Sequence, residues 1–240
     1  MPNKVAVIVA HPDDEILGCA GTMAKHLQTG DEVHVLILGE GITSRGKDRD
    51  AECHAPELSD LGRAAEEANR IVGVTSLTRK NLPDNRMDSL DRLDIIKIIE
   101  DFIQKHRPNI LYTHHIGDVN IDHRRIHEAV ITASRPIPGN FITTLLFFET
   151  PSSTEWQPVL SAPAFVPNWF VDISETWNIK LKALKAYDSE LRSWPHPRSL
   201  QALEHLARWR GATIGVSAAE AFFLGRKIVI CEGQGKDVGT

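Results

Sequence analysis

Apolar and polar positions along this chain fall into two alternating patterns. Val5–Ala10 (VAVIVA) and Val33–Leu38 (VHVLIL) are short, nearly unbroken apolar runs, as strands buried on both faces of a parallel sheet require. Between them, Ile16 to Thr29 reads as a helix stopped at Gly30. Gly39 to Ser59 is polar and holds Gly39, Gly41, Gly46 and Pro56, which predicts a long loop of the functional or mobile kind. Leu61–Val72 predicts a helix with Gly73 just past its end, and Ser76–Leu82 a weak third strand followed by the loop Pro83–Arg86. Leu93, Ile96, Ile99, Phe102 and Ile103 form one apolar stripe on a helix over Asp91–His106. Pro108 punctuates it before a fourth strand beginning at Ile110–Tyr112. Arg124–Ser134 predicts another helix and Thr144–Phe148 a fifth strand.

Strands alternating with helices over residues 1–150 mean βαβ units, hence an α/β fold with a doubly wound, mostly parallel sheet. The expected strand order is 3-2-1-4-5. After Pro151 the pattern loosens into a Pro-rich stretch, a strand at Trp169–Ile173, helices near Ile179–Ser189 and Leu200–Arg210, and a last strand at Lys227–Ile230. With no repeat and no long linker, residues 1–240 read as one domain, 151–240 being a C-terminal extension packed on the α/β core.

Composition narrows the function classes. The 240 residues carry a net charge of −5, which argues against a nucleic-acid or anionic-membrane binder, and no apolar run is long enough for a membrane span. The three cysteines are far apart and form no CxxC pair, which excludes a disulfide framework and a cysteine-based zinc site. A reducing, cytoplasmic location is therefore expected, and no signal-peptide pattern opposes it. Eleven His is a surplus, so their placement matters.

Ligands in an open parallel sheet bind beyond the carboxyl ends of the strands, where strand order reverses. Two polar clusters sit at that level: His11-Pro12-Asp13-Asp14-Glu15 after strand 1, and His114 to His123 after strand 4. Taken alone, the first is also what a Pro turn with helix-start carboxylates looks like. Both at neighbouring strand ends point to one crevice. Their residue types suit a catalytic divalent metal, because zinc takes His nitrogen and Asp oxygen and keeps three protein ligands. His11 and Asp14 can grip an ion from one turn and His123 from across the crevice. Asp13 is left as general base. Two imidazoles and a carboxylate also suit Fe2+, so the ion stays open.

The strand followed by Ala10–Glu15 (AHPDDE), with Asp118-Val119-Asn120-Ile121-Asp122-His123 about 105 residues on, resembles the LmbE-like, PIG-L family of metal-dependent N-acetyl-sugar deacetylases. Gly39-Glu40-Gly41, Arg63-x-x-Glu66, Pro83-Asp84-Asn85, Gly211 and Ala219-Glu220-Ala221-Phe222 extend the likeness over nearly the whole chain. The resemblance implies a Rossmann-like fold without a nucleotide. It implies His11, Asp14 and His123 as metal ligands and Asp13 as the base that deprotonates the attacking water. It also implies Arg63 and Asp84 as holders of sugar hydroxyls, with Asp118 and Glu40 read beside them as substrate-side residues. A small N-acetyl-sugar substrate and association into a homo-oligomer belong to the same expectation. One position departs from the pattern. Many relatives carry His-x-Asp-His, whose first His, oriented by the Asp, serves the oxyanion or the leaving amine; here Asn120 stands in its place before Asp122. Asn120 can donate a hydrogen bond but no proton. That task then falls to His114 or His115, or to Asp13 acting as a shuttle.

Weaker candidates complete the reading. Pro195-His196-Pro197-Arg198 reads as a surface turn or a cover over the pocket. Arg45, Lys47 and Arg49 read as solvated or as a lid touching substrate phosphate, His127 as a solvated helix position or one facing the cleft, and His26, His34, His54, His106 and His205 as residues without partners. Trp156, Trp169 and Trp194 read as core, or as aromatic faces suited to sugar rings. The competing functions are a non-catalytic sugar- or nucleotide-binding module and a metal-dependent hydrolase of a non-sugar amide. The missing G-x-G-x-x-G after strand 1 argues against the nucleotide module.

Overall fold

A computed structural model describes residues 2–46 and 49–229. Lys47, Ile230 and Cys231, which entered the reading above, lie outside them. Five parallel strands, β1 (Lys4–Val9), β2 (Glu32–Gly39), β3 (Ser76–Leu82), β4 (Ile110–His114) and β5 (Thr144–Phe148), pair in the order 3-2-1-4-5. The C-terminal third then adds two antiparallel strands: β7 (Ala219–Lys227) pairs with β5, and β6 (Trp169–Asp172) with β7. The extension thus finishes the sheet rather than only covering it.

Period-two alternation along β1 decides the layering. Val5, Val7 and Val9 join a core with α1 (Asp14–Gln28), α2 (Ala55–Val72), α5 (Trp177–Ala186) and α6 (Leu200–Ala212). Ala6, Ile8 and Ala10 join the opposite core with α3 (Arg92–His106) and α4 (Ile121–Ala133). All six are fully buried, and burying one Val or Ile side chain contributes roughly 1.5–3 kcal/mol. Among the described residues no helix is long and apolar enough to cross a membrane.

α1 carries the first polar cluster at its start and kinks at Cys19 (φ −152°, ψ 22°). A kink frees backbone groups that must find other partners when buried. Here a buried ion pair takes them. Glu220 of β7 accepts from the Gly21 and Thr22 N–H groups at 3.0 and 2.7 Å, and Lys180 of α5 donates to the Leu17 carbonyl at 2.8 Å. Lys180 and Glu220 meet at 2.6 Å. The helix that aims the catalytic turn is therefore clamped from the C-terminal third.

Several sequence expectations need correction. The last strand is Ala219–Lys227, not Lys227–Ile230; Glu220 interrupts its apolar pattern because it faces inward to Lys180. α2 starts at Ala55, inside the expected loop, since Pro56 falls in its first turn, where no backbone donor is needed. α4 starts at Ile121, capped by Asn120, whose Oδ1 accepts from the Asp122 N–H at 2.8 Å. Trp156, Trp169 and Trp194 are surface residues, not core. His26 bonds Asp31 and Tyr112, His34 bonds Ser76, and His106 packs on His34 and Phe102, so all three have partners.

Candidate active site

The turn His11–Asp13 joins β1 to α1, and the loop after β4 delivers His123 on the first turn of α4. The two meet at the reversal point between β1 and β4. His11 Nδ1 lies 3.5 Å and His123 Nε2 3.3 Å from Asp14 Oδ2, and donor atoms of all three fall within 4.8 Å of one another. Tetrahedral zinc bonds of about 2.0–2.1 Å place neighbouring donors about 3.3–3.4 Å apart. Both distances to Asp14 Oδ2 are close to that spacing.

Each imidazole is oriented through its other nitrogen, as metal-binding His residues require. His11 Nε2 donates to Asp122 Oδ2 at 2.9 Å and lies 3.2 Å from Asp84 Oδ1. Asp122 is pinned in turn by the Asn85 and Met87 N–H groups at 2.6 and 2.9 Å. His123 Nδ1 lies 3.1 Å from Asp118 Oδ2, although not aligned for a full hydrogen bond. Asp118 is held by Ser153 and by Thr154 Oγ1 at 2.9 Å. The other His123 face stacks on His114 at 4.0 Å between centroids.

The electrostatics favour positive charge at this point. Burial opposes charge on His11, yet hydrogen bonds to Asp122, Asp14 and Asp84 raise it well above the ordinary imidazole range. Burial likewise opposes charge on His123, but Asp14 and Asp118 raise it to about 9. Burial would raise Asp14, but the His123 and His114 rings and hydrogen bonds from His11 and His123 hold it well below the carboxylate range. Protons here occupy the role a cation would take, so the donor set fits a divalent metal.

Asp13 caps α1 with φ 110°, a left-handed conformation that Asp tolerates better than most residues. Burial pushes its carboxyl up to about 8; Arg198 pulls it down, and Asp14, Glu190 and Glu15 add to the rise. A divalent cation beside Asp14 would lower it again. Glu15, the last acid of the turn, supports this geometry. It accepts from the Asp13 N–H at 3.2 Å, Asn69 Nδ2 at 2.8 Å and the Tyr187 hydroxyl at 2.7 Å. Tyr187→Phe leaves this buried carboxylate short of a donor, an expected cost of about 1–3 kcal/mol. Thermal unfolding should report a Tm lower by roughly 2–10 °C; an unchanged Tm would show that Glu15 does not depend on the hydroxyl.

A cavity of about 310 Å³ opens at His11 and Asp13, within the small-molecule range. His11, Asp13, Asp84 and Asn120 line it, together with Ser44, Arg45, Ser152, Trp156, Glu190, Arg192, His196 and Arg198. Gly117 shapes this end of the fold, because a Cβ there would collide with the Pro163 carbonyl, so the loop after β5 closes directly on the second cluster.

The remaining expected residues lie elsewhere. Arg63 is on the exposed face of α2, bonded to Asp60 and Ser59 and absent from the cavity wall. Glu40 is held by Arg49 and Thr43 and lines a neighbouring cleft. Asp118 is buried beneath His123, out of reach of a substrate. His114 is fully buried, its Nε2 accepting from the Ala10 N–H at 2.9 Å, and burial with the His123 charge lowers it well below the imidazole range. His115 Nδ1 accepts from the Gly117 N–H, its ring lies between Phe165 and Phe223, and burial lowers it too. Neither ring lines the cavity, so neither is placed to donate a proton there. His127 bonds the His114 carbonyl and packs on Phe147 instead of facing solvent. Sequence reasoning missed Ser152, Tyr187 and Glu190, which no local motif marks, gave Glu15 no role although it lies in the first cluster, and read Arg45 first as solvated. The one signal for Arg198 was the Pro-His-Pro-Arg run.

Comparison with known proteins adds four findings. The PIG-L family model, described as GlcNAc-PI de-N-acetylase, matches residues 6–134. The diacetylchitobiose deacetylase of Thermococcus kodakarensis is 31% identical over 203 residues, covering 78% of this chain and 70% of that protein. YaiS of Escherichia coli K12, named an uncharacterized deacetylase, is 29% identical over 191 residues, 77% of this chain and 90% of its own. Among solved structures, the N,N'-diacetylchitobiose deacetylase of Pyrococcus horikoshii superposes with a TM-score of 0.73 at 22% identity, over 92% of this chain and 83% of that one. Identity that low speaks to the fold alone.

Proposed function

The chain belongs to the PIG-L family of GlcNAc-PI de-N-acetylases, and from that premise we propose that it is a zinc-dependent deacetylase of an N-acetylated amino sugar or sugar conjugate. Fe2+ suits the same ligands. The observation that carries the proposal is the His11–Asp14–His123 trio with donor atoms within 4.8 Å of one another, together with His11 and the Asp13 carboxylate on the wall of one cavity.

His11, Asp14 and His123 would hold the ion. When bound, it supplies Lewis-acid polarisation of the amide carbonyl and a lowered pKa for a nearby water. Asp13 accepts the proton of that water as its oxygen bonds the carbonyl carbon. With His114 and His115 buried as neutral acceptors, Asp13 also returns the proton to the leaving nitrogen as the C–N bond breaks. The products are the free amine and acetate. Asn120, its Oδ1 engaged by Asp122, keeps its amide N–H groups for the developing oxyanion. Asp84 lies on the wall for a sugar hydroxyl while also facing His11. Asp122 and Asp118 orient the two imidazoles.

The test is acetate release from a panel of N-acetylglucosamine, N,N'-diacetylchitobiose, sugar nucleotides, thiol-linked glycosides and a non-sugar acetamide, after loading with Zn2+ or Fe2+. Equimolar acetate and amine from at least one sugar, abolished by a chelator, is the expected result. Hydrolysis of the non-sugar amide alone would overturn the sugar assignment. Sugar binding without acetate release would favour a binding module.

A further inference from the structure

The segment Leu191–Ser199 lies some 180 residues from the catalytic turn in sequence, yet it reaches the cavity wall at His196 and Arg198. Arg198 Nη1 donates to Asp13 Oδ2 at 2.9 Å. Its Nε donates to Ser152 Oγ at 2.7 Å, and Nη1 lies 3.4 Å from Glu190 Oε2. Glu190 is itself gripped by Arg45 Nη2 at 2.7 and 2.8 Å. The Arg198 backbone is equally fixed. Its N–H donates to His196 Nδ1 at 3.1 Å, its carbonyl accepts from the Arg192 N–H at 3.3 Å, and the next residue, Ser199, caps α6.

Asp13 needs such a partner. It is buried in a left-handed turn beside Asp14 and Glu15, and Glu190 shares Arg198 Nη1 with it, so like charges lie around it. Like charges disfavour the ionised form of a carboxylate so placed, and a neighbouring cation offsets them. A guanidinium fork, anchored at Ser152 and Glu190, fixes it in direction as well as in charge.

Building on the reading of Asp13 as the base, we propose that Arg198 is its positioning residue: it holds Oδ2 so that Oδ1 faces the attacking water and then the leaving amine. Oδ1 takes one proton from water as the C–O bond forms and gives it to nitrogen as the C–N bond breaks. Arg198 keeps its charge throughout. The turn Asp188–Glu190 and the loop before α6 thereby join the catalytic apparatus, although no metal-binding residue lies in them.

The test measures kcat, KM, zinc content and Tm for Arg198→Ala, Arg198→Lys and Asp13→Asn on the N-acetyl sugar turned over by the wild type. Arg198→Ala should lose roughly 10- to 100-fold in kcat, with KM and zinc content near wild type and a Tm lowered by the ion pairs it breaks. Added guanidinium should restore part of the rate to Arg198→Ala and none to Asp13→Asn. Arg198→Lys, a point charge without the fork, should fall between, and it carries the test if Arg198→Ala folds poorly. Wild-type kcat in Arg198→Ala with Asp13→Asn inactive would overturn the positioning role and leave the base standing. A raised KM at unchanged kcat would overturn it in favour of substrate binding. Full activity in Asp13→Asn would instead overturn the reading of the base.

Discussion

Asp13→Ala is expected to bind zinc as the wild type does and to lose at least about a hundredfold in kcat, up to about ten-thousandfold, the range for a lost general base. The expectation separates two adjacent carboxylates by geometry. Asp14 Oδ2 sits between the imidazoles of His11 and His123, whereas Asp13 contributes no atom to that trio and pairs with Arg198. Removing Asp13 therefore leaves the donor set whole and deletes the proton acceptor. Backbone strain must be separated from chemistry, because Ala at φ 110° is disfavoured. Asp13→Asn controls for this, since Asn tolerates the left-handed region and keeps the shape while losing the charge. Both variants should carry about one zinc per chain by elemental analysis and release acetate at the reduced rate. Near-normal deacetylation by either would remove Asp13 from the mechanism.

The part of the fold read correctly from sequence is the part whose physics is local. β1, β2 and β5 are buried on both faces, so each appears as an apolar run, and their alternation with helices implied a doubly wound sheet, in which the expected order 3-2-1-4-5 is found. β7 escaped because an inward Glu220 breaks its apolar pattern, and that glutamate has meaning only once Lys180 and the kink at Cys19 are in place. The early start of α2 escaped for a different reason: Pro56 reads as a breaker unless its first-turn position is known.

The candidate site divides along the same line. His11, Asp13 and Asp14 share one turn and His123 opens a helix at the neighbouring strand end, so residue type and position sufficed to group them. Which face each neighbour turned toward was not encoded locally. His114, at the end of β4, is directed beneath His123, where its ring stacks instead of reaching the cavity. Asp118 follows the same logic, ending as the support of His123. Arg198 and Glu190 meet the catalytic turn only through tertiary packing, across the length of the chain. Proximity in sequence therefore exposed the ligands but concealed the residues that hold them and the base.

His123→Ala should cost more than the loss of the base, because it leaves the trio with two donors where hydrolytic zinc sites use three. Zinc content after dialysis should fall far below one per chain, and acetate release should drop to the chelator-treated background. Folding should survive, because Asp14 keeps the His11 N–H at 2.7 Å, and His11 Nδ1 and His114 Nε2 each lie 3.5 Å away. A modest fall in Tm is still expected, since the buried ring leaves a void against His114 and removes a favourable charge from Asp14 and Asp118. That void supplies a control within the same variant. Added imidazole can occupy the vacated space above His114 and offer a nitrogen near Asp14, so it should restore zinc content and part of the rate together. Imidazole should give no such recovery in Asp14→Ala, where the missing donor is a carboxylate. If His123→Ala instead keeps one tightly held zinc per chain and deacetylates near the wild-type rate, His123 is not a ligand and the metal lies elsewhere. The second grouping, His11 with Asp84 and Asp122 on the other nitrogen of the same ring, would then be the place to look.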